Sequence, residues 1–320
     1  MTERPTVLCI VDRPNWAHCR KTDALARALA GSYQIVKRYH ADVTGEDIER
    51  ADCVLLYYWL QLDRLGALRE VALRRRDRLV VGICSHYELQ GWGGAWREPG
   101  LAMLQTVPRF VFANNRLLVD EFGPQLGRPI HFTPNGVDTG FFRPPPSLSR
   151  RPGTAPLRVG WTGSLTNHGA AHRGVQEFIA PAVAAAGDAE LHLAVREEKW
   201  RSREEMLEFF HSIDVYVCAS VSEGTPNPCL EASACGVPVV TTRVGNMPEL
   251  IRNGENGFLV DRDVAAIAEC IRRLRDSDLR ARLGRAARAT VVEAWDWQHQ
   301  AVNYAALFRA VVGDDRTASA

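Results

Sequence analysis

Short, continuously apolar runs recur along the first half of this sequence and alternate with helical patterns. The runs have the length of β-strands. They are Val7–Val11, Tyr33–Tyr39, Cys53–Trp59, Leu79–Cys84, Arg109–Ala113 and Ile130–Thr133. A helical stretch, Asp23–Ala30, lies between the first two runs and is closed by Gly31. Because strands that are apolar throughout are buried on both faces, the alternation predicts a parallel sheet flanked by helices.

The alternation breaks at Pro144–Pro146 and the polar stretch Ser147–Ala155, which together predict an interdomain linker. It then restarts with five further apolar runs, separated by helical patterns. The predicted strands are Leu157–Trp161, Leu191–Val195, Val215–Cys218, Val237–Thr241 and Phe258–Val260, and the predicted helices are Val175–Ala185, Glu204–Ser212, Pro228–Ala234 and Val264–Leu274. The sequence therefore predicts an α/β protein with two doubly wound domains, residues 1–146 and 147–294.

Composition excludes several classes of function. The 320 residues carry a net charge of +1 without a block of like charges, so neither a nucleic-acid groove nor a polybasic membrane patch is indicated. No apolar run approaches the ~20 residues that a transmembrane helix needs, and the first residues lack a signal-peptide pattern. We expect no transmembrane segment and a cytoplasmic location. The eight cysteines form no CxxC pair and predict buried thiols rather than disulfides or a zinc site.

The most informative stretch follows the predicted strand Val215–Cys218. A Gly/Pro turn leads into a helix, because Pro226 and Pro228 suit a first helical turn, and the helix stops at Gly236. Backbone N–H groups of Thr225–Cys229 would then be free at the helix N-terminus, where anions such as a diphosphate bind.

Two acidic residues flank this turn. Glu223 precedes the helix and Glu231 lies on it. Carboxylates accept hydrogen bonds from sugar and ribose hydroxyls, so the pair suits a nucleotide-sugar. From the residues alone, an acidic group that complements the helix dipole together with a solvated helical Glu explains the pair equally well.

Glu223 and Glu231 are separated by seven residues, and with their surroundings they resemble the E-x7-E signature of retaining glycosyltransferase family 4. The other matching positions are Gly224, Pro226, Asn227, Ala232, Gly236, Pro238, Gly245, Pro248, Glu249, Gly254 and Gly257. Pro134–Asp138 resembles the end of the family's N-terminal domain, and residues 295–312 resemble the helix that crosses back to it. The resemblance implies a GT-B fold, in which two Rossmann-like doubly wound domains face a cleft. It implies an acceptor site in the N-terminal domain and a nucleotide-sugar site in the C-terminal domain.

The resemblance also implies residue roles. Arg173 would neutralise the diphosphate, Glu223 would contact the transferred sugar, and Glu231 would hold the ribose hydroxyls. The implied catalytic residues are His86, Arg173 and Glu223; the implied donor-binding residues are Gly163, Ser164, Arg173, Arg196, Glu223, Gly224, Thr225, Pro226, Asn227 and Glu231; and the implied acceptor-binding residues are Asn15, Trp16 and His18.

Two segments depart from the family pattern. Gly160–Ser164 carries no arginine where the family has a second basic residue, so N–H groups of Gly163 and Ser164, or the side chain of Arg196, would substitute. Asn15–His18 replaces a Gly-rich acceptor loop and lacks its glycine pair. Outside these segments, the alternative for His86 is a loop histidine bonded to the backbone. The tryptophans of the N-terminal half either stack on a sugar or pack inside, and the candidates are Trp16, Trp59, Trp92 and Trp96.

Asp261-Arg262-Asp263 spells the DxD of metal-dependent glycosyltransferases. It follows a predicted strand and precedes a predicted helix, so Asp263 as an N-cap explains it without a metal. We therefore expect no metal and no cofactor.

The resemblance implies sugar transfer from a nucleotide-diphosphate sugar to an acceptor hydroxyl, with retention of anomeric configuration. The acceptor would be a sugar, a lipid-linked sugar or a secondary metabolite, and nucleic acid is not an expected partner. Two alternatives stay open at this point: a GT-B sugar-nucleotide epimerase, and an inactive nucleotide-sugar-binding partner protein.

Overall fold

The computed structural model describes residues 4–86, 89, 98–146, 155–166 and 170–313. The described chain forms two compact units. Unit 1 is drawn from Met1–Gly136 and Trp297–Ala320, and unit 2 is Val137–Asp296. Trp92, Trp96 and all but the last residue of the predicted linker Ser147–Ala155 lie outside the described residues.

Unit 1 contains a parallel sheet in the order β2-β1-β3-β4-β5-β6. Strands β1 to β6 are Thr6–Val11, Gln34–Tyr39, Cys53–Leu56, Leu79–Ile83, Phe110–Ala113 and Ile130–Phe132. Along β1, Leu8 and Ile10 pack into one core cluster, whereas Val7, Cys9 and Val11 pack into another. Both faces of the sheet are therefore buried, as the continuous apolar runs predict.

Unit 2 contains a parallel sheet in the order β11-β10-β9-β7-β8. Strands β7 to β11 are Leu157–Gly163, Ala189–Val195, Val215–Cys218, Val239–Thr241 and Phe258–Leu259. The first five strands of each unit have the same relative order, with the first strand between the second and the third. In such sheets the chain reverses its winding between the first and third strands, and ligands bind beyond the carboxyl ends of the strands at that point.

Helices connect the strands in both units. In unit 1, α1 to α6 are Ala17–Ala28, Gly45–Arg50, Leu60–Arg64, Arg69–Arg74, Glu98–Thr106 and Arg116–Leu126, with 3₁₀ turns at Gly66–Leu68 and Arg76–Arg78. In unit 2, α7 to α13 are Ala170–Arg173, Ala180–Ala186, Arg203–Ser212, Asn227–Ala234, Met247–Leu250, Val264–Arg273 and Ser277–Thr290, with π-helical turns at Val175–Ile179 and Val291–Trp295. Helix α14, Trp297–Val312, returns to unit 1.

Several predicted bounds differ from the structure by a few residues, most of all those of β3 and α1. Strand β3 stops at Leu56 rather than Trp59, because the side-chain oxygen of Gln61 accepts hydrogen bonds from the backbone of Tyr57 and Tyr58. Helix α1 starts at Ala17 rather than Asp23 and ends at Ala28, before the predicted stop at Gly31.

The division between the units differs from the predicted boundary at residue 146. The backbone N–H of Val137 donates to the carbonyl of Trp295 at 2.8 Å, and Phe142 packs against Phe210 in a core of unit 2. These contacts tie residues 137–146 to unit 2. Helix α14 belongs to unit 1, where the Tyr304 hydroxyl donates to the Thr133 carbonyl at 2.7 Å.

All eight cysteines lie among the described residues, and each is a thiol, as predicted. Seven of them are buried. Burial raises the pKa of Cys9 to about 12, so this thiol stays protonated at neutral pH. No helix in the described ranges is both long enough and apolar enough to span a bilayer.

Asp263 caps α12, as predicted from the sequence. Its carboxylate accepts a hydrogen bond from the N–H of Ala266 at 2.8 Å. Asp263→Ala should therefore lower the free energy of unfolding by about 1 kcal/mol, the usual contribution of such a cap. Urea unfolding followed by circular dichroism measures this, with Asp261→Ala as the matched control. Equal stability of the two variants would contradict the N-cap assignment.

Candidate functional site

Polar side chains collect at the carboxyl ends of β7 and β9 in unit 2. These two strands are the first and third of their sheet and lie side by side, so the loops that follow them flank the switch point. The loop after β9 runs from Ala219 to Pro226, and the loop after β7 begins at Ser164.

An ion pair between Arg173 and Glu223 lies at this edge. The guanidinium Nη1 donates to Glu223 Oε1, and both side chains are about five-sixths buried, with exposed fractions of 17% and 16%. The Ser220 hydroxyl donates to the same oxygen at 2.8 Å. Burial opposes the charge on Arg173, but the Glu223 carboxylate more than offsets it, so the pKa of Arg173 is raised. The predicted catalytic residues Arg173 and Glu223 are thus brought together.

The backbone holds Arg173 against the loop after β9. Gly174 has φ +67°, and a Cβ there would lie 2.7 Å from the carbonyl oxygen of Ala219. On the preceding residue, His172 Nε2 is 2.7 Å from the Ser222 carbonyl oxygen, and the His172 carbonyl accepts from the N–H of Val221 at 2.9 Å. The position after Arg173 therefore needs a glycine, because two backbone segments approach each other closely there.

Arg262 supports the same loop from a distant part of the chain. Its Nε donates to the Ala219 carbonyl at 2.8 Å, and its Nη2 donates to the Ala171 carbonyl. Arg262 is the central residue of the DxD-like segment, which thus contributes an arginine contact to the site's framework. Sequence analysis missed this role.

The start of α10 differs from the prediction of free N–H groups over Thr225–Cys229. Pro226 and Pro228 have no N–H, the N–H of Asn227 donates to the Thr225 carbonyl at 2.9 Å, and that of Cys229 donates to the Pro226 carbonyl at 2.8 Å. The N–H groups of Asn227 and Cys229 therefore form hydrogen bonds within the first turn of the helix, although the sequence predicted that they would be free to bind an anion. The Thr225 hydroxyl is buried and has no hydrogen-bond partner among the described residues.

The loop after β10 packs closely against this turn. Gly245 has φ +55°, and a Cβ there would lie 2.7 Å from the carbonyl oxygen of Gly224 and 2.9 Å from Cδ of Pro226. Glu231 follows on α10 and is half-buried. The predicted donor residues from Glu223 to Glu231 therefore form one continuous turn-and-helix segment.

The remaining predicted donor residues lie at the end of β7 and after β8. Gly163 ends β7, and its carbonyl accepts from the N–H of Arg196 at 2.9 Å. The Arg196 guanidinium lies 5.4 Å from the ring centroid of Trp200. The Ser164 hydroxyl donates to the carboxylate of Glu197, a residue that sequence analysis did not single out.

The predicted acceptor residues lie at the switch point of unit 1, after β1. Asn15 has φ +62°, the single positive value at a described residue other than glycine, and marks a sharp loop. The Arg13 guanidinium lies 4.9 Å from the Trp16 ring. His18 stacks on Tyr57, with centroids 4.5 Å apart, and its Nδ1 is 3.6 Å from Asp12.

His86 follows β4 in the same sheet. Its Nε2 lies 2.8 Å from Glu121 Oε2, while its Nδ1 is buried with no hydrogen-bond partner among the described residues. Burial lowers the pKa of His86, and Glu121 partly opposes that change. Trp59 is buried in the core of unit 1, which favours packing over sugar stacking.

Metal ligands do not gather in the described part of the chain. Within those residues, no group of three or more His, Cys, Asp or Glu side chains is arranged to hold a metal ion. Asp263, the second carboxylate of the DxD-like segment, is engaged as the cap of α12.

Comparison with known sequences relates unit 2 to a family. Residues 156–277 match the family described as Glycosyl transferases group 1. The D-inositol 3-phosphate glycosyltransferase of Acidothermus cellulolyticus is 31% identical over 238 residues, which cover 64% of this chain and 53% of that protein. The glycogen synthase of Mycobacterium tuberculosis is 29% identical over 228 residues, covering 63% and 53%. The chain therefore spans about half the length of the curated relatives it matches.

Solved structures resemble both units. HepE of Anabaena, crystallised with UDP and glucose, superposes with a TM-score of 0.75 at 15% identity, over 96% of this chain and all of that one. Sucrose-phosphate synthase of Thermosynechococcus elongatus has a TM-score of 0.72 at 16% identity, over 96% and 99% of the two chains. At such low sequence identity, a structural match informs only about the fold. These matches confirm the predicted GT-B fold class, with two Rossmann-like domains built on parallel sheets.

Glu121 should control the protonation of His86. Its carboxylate favours the imidazolium, so Glu121→Gln should shift the pKa of His86 further below the ordinary value of 6.5. Titration of the imidazole resonances by NMR measures the change, and Asp120→Asn, on the same helix, is the control. A pKa of His86 that is unchanged or higher in Glu121→Gln would show that this pair does not form.

Proposed function

We propose that this protein is a glycosyltransferase that moves a sugar from a nucleotide-diphosphate sugar to an acceptor hydroxyl with retention of anomeric configuration, and that it needs no metal. The observation that carries the proposal is the buried Arg173–Glu223 pair at the switch point of unit 2. It lies inside the stretch that matches the group 1 glycosyltransferases. Two curated relatives, named D-inositol 3-phosphate glycosyltransferase and glycogen synthase, support the proposal, and the structural neighbour HepE was crystallised with UDP and glucose.

Arg173 would stabilise the departing diphosphate. A buried guanidinium stays charged at every accessible pH and offers two parallel donors to phosphate oxygens. Its partner Glu223 balances the charge before a donor arrives. When the diphosphate binds to the Arg173 guanidinium in place of Glu223, the freed Glu223 carboxylate would accept hydrogen bonds from hydroxyls of the sugar. This electrostatic stabilisation is of the kind that oxyanion holes supply.

Nucleotide binding would depend on Glu231. A half-buried carboxylate on α10 accepts hydrogen bonds from the paired hydroxyls of a ribose. The buried Thr225 hydroxyl, without a partner among the described residues, would gain one from the sugar or the phosphate. Backbone groups of Gly224, Pro226 and Asn227 would complete the donor site.

The reaction would proceed without a glycosyl-enzyme. Retaining glycosidases use two carboxylates across the reacting bond, one of which is a nucleophile. Here Glu223 is engaged by Arg173 and Ser220, an environment that lowers its reactivity as a nucleophile. The acceptor hydroxyl would attack as the diphosphate leaves, and its proton would pass to the leaving phosphate.

Unit 1 would bind the acceptor. His86, whose pKa is lowered by burial and whose Nε2 lies 2.8 Å from Glu121, would take part in catalysis through hydrogen bonds. Asn15, Trp16 and His18 would contact the acceptor, and the flat stack of His18 on Tyr57 offers an apolar face beside the carboxylate of Asp12. Carbohydrates present this combination of C–H faces and hydroxyl groups. A sugar, a lipid-linked sugar or a secondary metabolite would be the acceptor.

Glu231→Ala should weaken nucleotide binding. A ligand that binds only the folded state raises stability by RT ln(1 + [L]/Kd), which is about 2.7 kcal/mol at 100 times Kd. Thermal midpoints with UDP, GDP, dTDP and ADP should show an increase with one nucleotide for the unmodified protein and a smaller one for Glu231→Ala. Glu208→Ala, an exposed helical glutamate, is the control. Equal increases in all three proteins would remove Glu231 from the ribose site.

Arg173→Ala should lower kcat about 100-fold, the usual effect of removing one donor to a developing oxyanion. Arg173→Lys keeps the charge and should recover part of the activity, whereas Arg285→Ala should behave as the unmodified protein. Turnover is measured as release of the nucleoside diphosphate in the presence of an acceptor. Unchanged turnover in a folded Arg173→Ala would refute the assigned role.

A further inference from the structure

The loop after β7 forms a cradle of donors around one carboxylate. Glu197 Oε2 accepts from the N–H of Leu165 at 3.1 Å. Glu197 Oε1 accepts from the N–H of Thr166 at 3.3 Å, from the Thr166 hydroxyl at 2.7 Å and from the Ser164 hydroxyl. Two consecutive backbone N–H groups and two hydroxyls thus converge on a single anion. We call residues 164–166 the β7 cradle.

The β7 cradle has the chemistry of an anion site. Successive backbone N–H groups that point into one concavity bind phosphates and other anions in many proteins. The hydrogen bond from the Ser164 hydroxyl, together with the other donors, outweighs the opposing effect of burial and brings the pKa of Glu197 down to about 2, so its carboxylate is ionised at neutral pH. Glu197 and Thr166 are both exposed, so an anion from solution can approach the cradle from the side of Thr166.

The β7 cradle lies beside the segments that lead to Glu223 and Glu197. It directly follows β7, which pairs with β9, the strand that leads to Glu223. Strand β8, on the other side of β7, leads to Glu197 itself, which lies on the exposed turn after Val195. An internal carboxylate therefore occupies the donors closest to the end of β7, at the edge where a donor diphosphate would bind.

We propose that Glu197 is an internal competitor for a phosphate site in the β7 cradle, and that it leaves the cradle when a diphosphate binds there. The part that concerns the nucleotide-sugar rests on the proposed function. A phosphate group has more charge and more acceptor oxygens than a carboxylate, so it competes well for the same four donors. The released Glu197 side chain lies on an exposed turn, where water solvates it. Affinity for the donor is lowered by the cost of this exchange, which sets a threshold concentration for occupancy.

The test compares Glu197→Gln with the unmodified full chain by titration calorimetry with inorganic pyrophosphate. Glutamine is close in size but carries no charge, and its NH₂ group cannot accept the hydrogen bond that one carboxylate oxygen of Glu197 accepts. We expect Glu197→Gln to bind pyrophosphate about tenfold more tightly, a difference of about 1.4 kcal/mol. Glu198→Gln removes the same charge one residue away and should bind as the unmodified protein does. Equal or weaker binding by Glu197→Gln would overturn the proposal, since Glu197 would then support the loop rather than compete for it.

A second measurement does not depend on the variant's folding. In the unmodified protein labelled with ¹⁵N, the amide resonances of Leu165 and Thr166 should shift as pyrophosphate is added, because these N–H groups exchange one anion for another. Amide resonances that stay fixed up to ~10 mM pyrophosphate would overturn the phosphate site, since even a weak millimolar complex would be populated there.

The outcome is separable from that of the proposed function. Tighter pyrophosphate binding by Glu197→Gln, without turnover of any nucleotide-sugar, would keep the cradle and remove the glycosyltransferase proposal. If turnover depends on Arg173 but Glu197→Gln leaves pyrophosphate binding unchanged, the glycosyltransferase proposal stands and the proposal that Glu197 competes for the cradle is refuted.

Discussion

Burial of both faces of each parallel sheet is the constraint on which the rest of the molecule depends. Central strands such as β1 and β9 send alternate side chains into two different core clusters, so these strands have no surface left for polar chemistry. Functional side chains are therefore confined to the loops beyond the strand ends. The same strand order in both units then brings together the loops after the first and third strands. Arg173 with Glu223, and His18 with Tyr57, lie at these two positions.

Charges that lie close to these cores are each balanced in a different way. Arg173 is matched by a carboxylate, which offsets the cost of removing a guanidinium from water. Lys21 is buried among aromatic rings instead, with its ammonium 5.2, 5.3 and 5.1 Å from the centroids of Tyr57, Phe112 and Tyr304. Cation–π attraction contributes more when the cation is shielded from water. One unit thus holds its buried cation among aromatic rings, and the other holds its cation in an ion pair.

Sequence patterns were sufficient for features that depend on neighbours along the chain. Continuous apolar runs predicted the strands, and the spacing from strand to helix predicted the Asp263 cap. Features set by distant residues could not be predicted in this way. Nothing near His86 indicates Glu121, and nothing near Ser164 indicates Glu197, because the fold alone brings these partners together. The domain boundary also depends on residues that are distant in the sequence. Val137 pairs with residues 295 and 296, which places the boundary before residue 137 and not at the proline-rich stretch.

The path of the chain between the units sets an order of synthesis. Unit 2 is inserted between Gly136 and Trp297, so all of it leaves the ribosome before α14 does. Until then, one core of unit 1 lacks the side chains of Tyr304, Leu307 and Phe308, which cover Lys21 and the apolar face of β1. An incomplete core exposes apolar surface and is prone to aggregation. Unit 1 is therefore completed only after unit 2 has been synthesised, and in that interval the side chains of β1 that α14 will cover stay exposed.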